Sequence, residues 1–219
     1  GLAVGFGNGR ADATNPPAPF PRKTIHPRPD VLAMTSAFPS PSKSPAVNRE
    51  DSSTPSYTVV DKNIHNTKHD YHLVNTEKQL TELLKLLSNE KEICFDTETT
   101  NIDAHLAELV GLSFAVKPGE AYYVPCPADK NECLTLLKKF ETLFNNDNIV
   151  WVGQNLKYDL LLLKWYGIEI TGKLFDTMLA HYAIEPEGKR GMDLLSAKYL
   201  GYEPVHIEEL IGKKGKNQG

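Results

Sequence analysis

Regular hydrophobic periodicity begins near residue 70 of the chain. Leucines between residues 76 and 87 recur every three or four positions, which predicts an amphipathic helix. The same spacing predicts helices over 131–144, 155–166, 176–184 and 192–200. Short apolar or alternating runs bounded by turn residues predict strands over 71–74, 92–98, 109–116, 121–124, 149–152 and 169–170.

The order of these elements predicts how they pair. The strands over 92–98, 109–116 and 121–124 follow one another through short connections, as in an antiparallel meander. The strand over 149–152 comes after a helix, so it can lie parallel to the first of them. Hairpin strands followed by helix-linked strands imply an α/β fold with a mixed sheet covered by helices.

The N-terminal third of the chain has a different composition. Residues 1–68 contain ten of the fifteen prolines and little apolar periodicity. Such a segment buries too little surface to offset its ordering entropy, so it is predicted to be a disordered linker rich in Pro and Ser. The folded domain is predicted to occupy residues 69–219, which carry 16 basic and 23 acidic residues, a net charge of −7.

Composition excludes some classes of protein. The formal charge of the 219 residues is −4, which argues against a protein that coats nucleic acid electrostatically but allows a local basic patch. Apolar runs fall short of the roughly 18 residues that a membrane span needs. Three cysteines without metal-ligand spacing predict neither a disulfide framework nor a zinc site. We therefore expect a cytoplasmic protein that does not associate with membranes.

Two groups of acidic residues flank buried strands. Asp96 and Glu98 end the strand over 92–98 and, being two positions apart, point to the same face. Asp159 opens the helix after the fourth strand, and it shares a helix face with Asn155. If that strand lies beside the first, the three carboxylates converge. Strand ends commonly carry solvated acids, but converging ones suit Mg²⁺ or Mn²⁺ and phosphodiester hydrolysis with two ions.

Several motifs in order resemble one known family. These motifs include Asp96-Thr97-Glu98-Thr99, Gly153-Gln154-Asn155-Leu156-Lys157-Tyr158-Asp159, Phe175-Asp176-Thr177-Met178 and Gly215-Lys216-Asn217-Gln218. Through them, residues 70–218 resemble the 3′-5′ exonuclease domain of family A DNA polymerases, the bacterial DNA polymerase I type. The resemblance implies a ribonuclease H-like fold, with a mixed five-stranded sheet flanked by helices, and a proofreading hydrolase.

The resemblance also implies roles for individual residues. Asp96 would bridge two divalent metal ions, Glu98 would bind the first ion and orient the attacking water, and Asp159 would serve the second ion. Lys189 and Arg190 are alternatives for a phosphate contact. Residues matching the contacts to a frayed or single-stranded DNA 3′ end are Thr99, Ile102, Gln154, Asn155 and Tyr158.

One family motif has no counterpart. The third motif, Tyr-x-x-x-Asp, completes the first metal site, and the sequence from Tyr199 to Glu203 has the spacing but precedes the expected position. We expect the motif to lie beyond residue 219, and this chain to be a C-terminally incomplete domain with impaired activity. A polymerase domain of the parent chain is the expected partner, and a monomer is the expected state.

Two other functions stay open at this level. A ribonuclease D-like exoribonuclease uses the same carboxylates on RNA, and a catalytically inactive nucleic-acid-binding or scaffold module can share the fold. For other residues a structural role is expected. Asp176 is predicted to cap a helix, and His181 and His206 to be packing or surface groups. Trp151 and Trp165 are predicted to pack in the core.

Overall fold

A computed structural model describes residues 59–205. The strands are β1 (Lys62–Asn63), β2 (Asp70–Leu73), β3 (Glu92–Thr99), β4 (Leu109–Lys117), β5 (Glu120–Pro125), β6 (Val150–Gly153), β7 (Lys173–Asp176) and β8 (Tyr202–Glu203). The helices are α1 (Glu77–Leu87), α2 (Lys130–Lys138), α3 (Glu141–Phe144), α4 (Leu156–Trp165), α5 (Thr177–Ile184) and α6 (Met192–Leu200). None of the helices in this part of the chain is long and apolar enough to cross a membrane.

The central sheet is mixed and has the strand order β2-β5-β4-β3-β6-β7. Strands β3, β4 and β5 form the predicted antiparallel meander. Strand β6 pairs in parallel with β3, as predicted, and β7 continues in parallel beside β6. The predicted α/β architecture is confirmed, but the count of five strands is wrong. The sheet has six, because β2 pairs in parallel with β5 and extends the edge.

A second, two-stranded pair joins distant parts of the chain. Strand β1 lies parallel to β8, with Lys62 opposite Tyr202 and Asn63 opposite Glu203. The backbone N–H groups of Asp61 and Lys62 donate to the carbonyl of Gly201. The predicted domain boundary between residues 68 and 69 stays a prediction, although β1 precedes it. Most of the predicted linker, residues 1–58, and the motif Gly215-Lys216-Asn217-Gln218 lie outside the described residues.

Two element predictions were wrong in detail. The predicted helix over 131–144 is divided into α2 and α3, because turn hydrogen bonds at Lys139 and Phe140 turn the chain so that Phe140 is fully buried. The last sheet strand lies at 173–176 instead of 169–170. Gly172 precedes this strand, and an added Cβ there would lie 2.4 Å from the Ile149 carbonyl oxygen. The close approach of the Gly172 backbone to Ile149 therefore sets where β7 begins.

One face of the sheet carries the main hydrophobic core. Along β3, Ile93 and Phe95 are fully buried and Thr97 is buried, whereas Cys94, Asp96 and Glu98 are partly exposed. The helices cover this face with their leucines, and the rings of Phe95, Phe144 and Trp151 meet at centroid distances of 5.3–5.8 Å. Burial of Trp151 confirms its predicted core role. The core therefore fixes the strand from which the acidic residues project.

Gly153 allows α4 to start close to the sheet. A Cβ at this position would lie 2.8 Å from the carbonyl oxygen of Phe95 and 2.4 Å from the Leu156 side chain. Since the carbonyl belongs to the neighbouring strand, it cannot move without disturbing β3. We expect Gly153→Ala to lower the free energy of unfolding by about 1–3 kcal/mol, the usual cost of overpacking.

Urea denaturation followed by circular dichroism measures this effect. Gly191→Ala is the matched control, because an added Cβ there meets nothing within 4 Å. Equal stability of the two variants would show that β6 and α4 can move apart at no cost.

Candidate active site

Asp96 and Glu98 project from the same face of β3, at the end of the strand. Buried and partly exposed residues alternate from Glu92 onwards, and both acids belong to the partly exposed set with Cys94. The negative charge of Asp96 adds to burial in raising the pKa of the Cys94 thiol. Glu98 likewise raises the pKa of Tyr123, after burial, which is the main cause. The two acids therefore share the face opposite the main core.

Asp159 reaches the same segment of β3 from helix α4. Its Oδ1 accepts a hydrogen bond of 2.6 Å from Thr97 Oγ1 and one of 3.0 Å from the Thr97 backbone N–H. Thr97 lies between the other two acids in the chain. Strand β6 pairs with β3 only as far as Cys94. The first turn of α4 therefore lies beside the part of β3 that β6 does not pair with, which makes the contact possible. Asp159 is thus bound to the residue that separates Asp96 from Glu98 along the strand.

Burial changes the acidity of Asp159. The residue is 2 % exposed, and desolvation raises the pKa of its carboxyl from 3.8 to about 7. The two hydrogen bonds from Thr97 lower this pKa, and the neighbouring charge of Asp176 raises it. A carboxylate in this position is stabilised by a nearby cation. Carboxylate oxygens are the ligands that hard divalent ions take, so a buried acid of this kind fits such an ion, while the joint binding of one by Asp96, Glu98 and Asp159 stays a prediction.

Asp176 organises the turn between β6 and α4. It caps α5 by accepting hydrogen bonds from the N–H groups of Met178 and Leu179, which confirms its predicted role. The same Oδ1 also accepts from the backbone N–H of Asn155 at 3.1 Å. Asn155 adopts the left-handed conformation, with φ 61° and ψ 41°, which asparagine tolerates better than most residues. The turn carries Asn155 to the N-cap position of α4.

Tyr158 closes over the end of β3. Its hydroxyl lies 2.8 Å from Thr99 Oγ1 and donates a hydrogen bond to the carbonyl oxygen of Asn101. Ile102 follows in the loop and is 97 % exposed. Tyr158 and Thr99 are therefore in contact at the end of β3, and the contact of these residues and Ile102 with DNA stays a prediction.

Gln154 connects the site to a second loop. Its Nε2 donates to the backbone carbonyl of Arg190 at 2.9 Å, and its Oε1 accepts from the hydroxyl of Thr177. The guanidinium of Arg190 lies 4.6 Å from the ring centroid of Tyr182, and it donates to the Pro186 carbonyl. Lys189 is exposed. Gln154 therefore contacts the backbone of Arg190, and which of Lys189 and Arg190 meets a phosphate stays a prediction.

Two contacts were missed from sequence, and one expectation was wrong. Thr97 holds Asp159, and the alternation along β3, which points Thr97 away from its neighbours, is the signal that could have shown it. The hydrogen bond from the Asn155 N–H to Asp176 could not be predicted from a local pattern, because the two residues lie in different motifs.

Trp165 was predicted in the core, but it is 57 % exposed. His181 is buried beside Tyr199, as expected for a packing group, whereas His206 lies outside the described residues.

A different group of potential metal ligands lies elsewhere in the sheet. Within residues 59–205, donor atoms of Asp70, His72 and Glu120 lie within 4.8 Å of one another. They occupy β2 and the start of β5, at the sheet end remote from Asp96. Glu120 already pairs with Lys117 at 2.6 Å and accepts from Tyr122. These residues therefore form a solvated, salt-bridged cluster at the edge of the sheet. None of the three is among the predicted metal ligands.

The fold is the ribonuclease H-like one. Among solved structures, the catalytic core of RRP6 from Trypanosoma brucei matches 66 % of this chain and 38 % of its own, with a TM-score of 0.53 and 19 % identity. Trypanosoma brucei RNase D matches 69 % of this chain and 52 % of its own, with a TM-score of 0.54 and 15 % identity. At these identities the matches establish the fold alone.

The sequence comparisons are more specific. A family model described as 3′-5′ exonuclease matches residues 71–218, so the chain belongs to this family, in the form found in DNA polymerase I. DNA polymerase I of Borreliella burgdorferi is 35 % identical over 149 residues, and that of Pseudomonas aeruginosa is 37 % identical over 156. These regions cover 65 % and 67 % of the chain but only 16 % and 17 % of the relatives' lengths.

Proposed function

We propose that this chain removes nucleotides from DNA 3′ ends by hydrolysis with two divalent ions, Mg²⁺ or Mn²⁺. The observation that carries the proposal is the docking of Asp159 on Thr97, between Asp96 and Glu98. The donor set consists of carboxylates, as these ions prefer. Ions bound there would stabilise the charge that develops during hydrolysis of the phosphodiester.

Three acidic residues would have different roles in the hydrolysis. Asp96 would bridge the ions, Glu98 would orient the attacking water, and Asp159 would complete the second ion site. Thr97 fixes the orientation of Asp159, so that its Oδ2 is the atom available for an ion. The tight hydrogen bonding of this buried acid favours a preformed site, since little rearrangement is needed when an ion binds.

The 3′ end would lie beside Tyr158 and Thr99. These two side chains share a hydrogen bond and border the strand end that carries the acids. Ile102 would press against a base, while Gln154 and Asn155 would border the terminal nucleotide. Gln154 would also hold the loop containing Lys189 and Arg190 so that a phosphate can approach one of them.

The biological role proposed is proofreading in the cytoplasm, by a domain linked to a polymerase within one polypeptide and acting as a monomer. The support is that the relatives are DNA polymerases I, of which this chain spans about a sixth. The ribonuclease D alternative is supported less, because those structural matches share only 15–19 % identity. A purely scaffolding role is disfavoured because Asp96, Glu98 and Asp159 are all present.

Strand-specific cleavage tests this function. The 219-residue chain is incubated with 5′-labelled single-stranded DNA and matched RNA, each with Mn²⁺ or with EDTA. We expect slow, Mn²⁺-dependent shortening of DNA from its 3′ end, because the acid of the third motif is absent from this sequence. Asp96→Asn should remove this activity, and Asp147→Asn, an exposed acid in the turn before β6, should leave it unchanged.

Three results would count against the proposal. Faster cleavage of RNA would favour the ribonuclease D alternative. Shortening in EDTA would exclude the divalent-ion mechanism. Unchanged cleavage by Asp96→Asn would show that the strand acids are not the catalytic groups.

A further inference from the structure

Exposed apolar side chains lead away from the candidate active site along the loop of residues 100–108. Ile102 and Leu106 in this loop are 97 % and 70 % exposed, and Trp165 at the end of α4 is 57 % exposed. Large apolar groups gathered on one surface indicate a binding site more often than isolated ones do. This strip begins at Tyr158, beside the acids, and is therefore continuous with the proposed nuclease site.

The loop runs along helix α4 and is attached at both ends. The carbonyl of Asn101 accepts the hydroxyl of Tyr158 at the first turn of the helix. At the last turn, the rings of His105 and Trp165 meet edge to face, with centroids 5.6 Å apart. Tyr158 and Trp165 are seven residues apart, which is two helical turns, so they lie on the same side about 10 Å from each other.

Lysines accompany the rings along the helix. Lys157 and Lys164 are exposed, precede Tyr158 and Trp165 in the sequence, and have the same two-turn spacing. The helix therefore presents a row of cations beside a row of aromatic rings, on a domain whose net charge is negative. The loop carries two acids. Asp103 accepts a hydrogen bond from the N–H of His105 at 2.9 Å, and Glu108 lies at the far end of the loop, where its N–H donates to Thr100 Oγ1. Proteins bind single strands with this combination, in which cations attract phosphates and rings stack on bases.

We propose that Tyr158, His105 and Trp165, with Lys157 and Lys164, form a track for the single DNA strand upstream of the 3′ end. The inference rests on the proposed function, because the track starts where the 3′ nucleotide would lie. Its length of about 10 Å corresponds to about three stacking steps of 3.4 Å, so Trp165 would contact the fourth nucleotide from the 3′ end, beyond the reach of a trimer. Bases would stack on the rings without sequence preference, because every base has an aromatic face.

The two tryptophans provide a direct readout. Trp151 is fully buried and Trp165 is exposed, so a bound strand changes chiefly the emission of Trp165. The 219-residue chain is titrated with thymidine oligonucleotides of three and eight nucleotides in Ca²⁺, with affinity followed by the anisotropy of a 5′ label. We expect the octamer to quench tryptophan emission and to bind at least about fivefold more tightly than the trimer.

Substitutions separate the track from the active site. Trp165→Ala should weaken octamer binding at least about fivefold and leave trimer binding unchanged, whereas Trp165→Phe should retain octamer affinity but lose the quenching. Lys164→Ala should reduce the salt dependence of octamer binding by about one phosphate contact. Leu73→Ala, a 43 % exposed residue on β2, is the control for loss of surface apolar area.

The outcomes distinguish the two proposals. If the trimer binds but the octamer gains nothing, or if Trp165→Ala binds the octamer as well as the unmodified chain does, the track is wrong while the active site stands. If neither oligonucleotide binds, the proposed function fails and the track fails with it. Circular dichroism spectra of all variants establish that each is folded.

Discussion

Asp159→Asn is expected to have two effects of opposite sign, a more stable metal-free protein at pH 8 and a loss of nuclease activity. The folded-state pKa of about 7 lies above the ordinary value of 3.8. Between these values the folded protein holds a proton that the unfolded chain has released, so stability falls as pH rises through this window and then levels off. The shift of about three pKa units corresponds to at most about 4 kcal/mol, and we expect a gain of about 2–4 kcal/mol for the variant at pH 8.

Denaturation in EDTA at pH 4, 6 and 8 measures the stability effect. The variant and the unmodified chain should differ little at pH 4 and most at pH 8, and Mn²⁺ should restore stability to the unmodified chain alone. Activity should fall by at least about 100-fold, because even residues that only support a metal ligand cost 10–100-fold when replaced. Asp147→Asn should show neither effect, and a pH-independent difference for Asp159→Asn would contradict the assigned pKa.

Phe95→Ala is expected to lower the free energy of unfolding by about 3–5 kcal/mol, as is typical for a buried aromatic ring. Phe95 is fully buried, and its ring lies 5.4 Å from Phe114, 5.6 Å from Phe144 and 5.8 Å from Trp151. Alanine leaves a cavity between strands β3, β4 and β6 that the helices cannot fill without moving. The melting temperature should fall by about 2–4 °C for each kcal/mol.

Chemical denaturation measures this loss, and Ile102→Ala is the control. Ile102 is almost fully exposed, so its replacement should change stability by no more than about 0.5 kcal/mol. A similar change for both variants would mean that the core around β3 is not packed as described. Because Phe95 immediately precedes Asp96, the loss of its ring is also expected to weaken divalent-ion binding.

The sequence predicted the centre of the fold better than its edges. Strand β3 alternates clearly, and helix α4 follows a four-residue buried strand, so both were found within a residue or two. Strand β2 is short and separated from β5 by one helix and two strands, and side-chain alternation carries no information about such pairing. The start of β7 depends on the close approach of Gly172 to Ile149, which is a tertiary contact. Helix α4 contains four consecutive leucines, which do not define a single apolar face, so the exposure of Trp165 could not be read from periodicity.

The positions of the acids on their elements could be predicted because strand alternation and helix spacing are local rules. Asp96 and Glu98 required only a period of two, and the position of Asp159 required only that β6 lie beside β3, whereas their joint role as metal ligands stays a prediction. The partner of Asp159 required knowledge of how far the two strands pair. The ladder ends at Cys94, and only then is the Thr97 N–H available to a side chain from the helix. The hydrogen bond from the Asn155 N–H to Asp176 joins two segments that no local pattern relates.

The parallel pair of β1 and β8 brings residues 61 and 203, at the two ends of the described strands and helices, to adjacent points. A stretch whose ends meet can be inserted into a surface turn of an unrelated host without forcing the host's backbone apart. A segment that keeps both strands, residues 61–203, would present such closely spaced ends, with the short β1–β8 ladder serving as the seam.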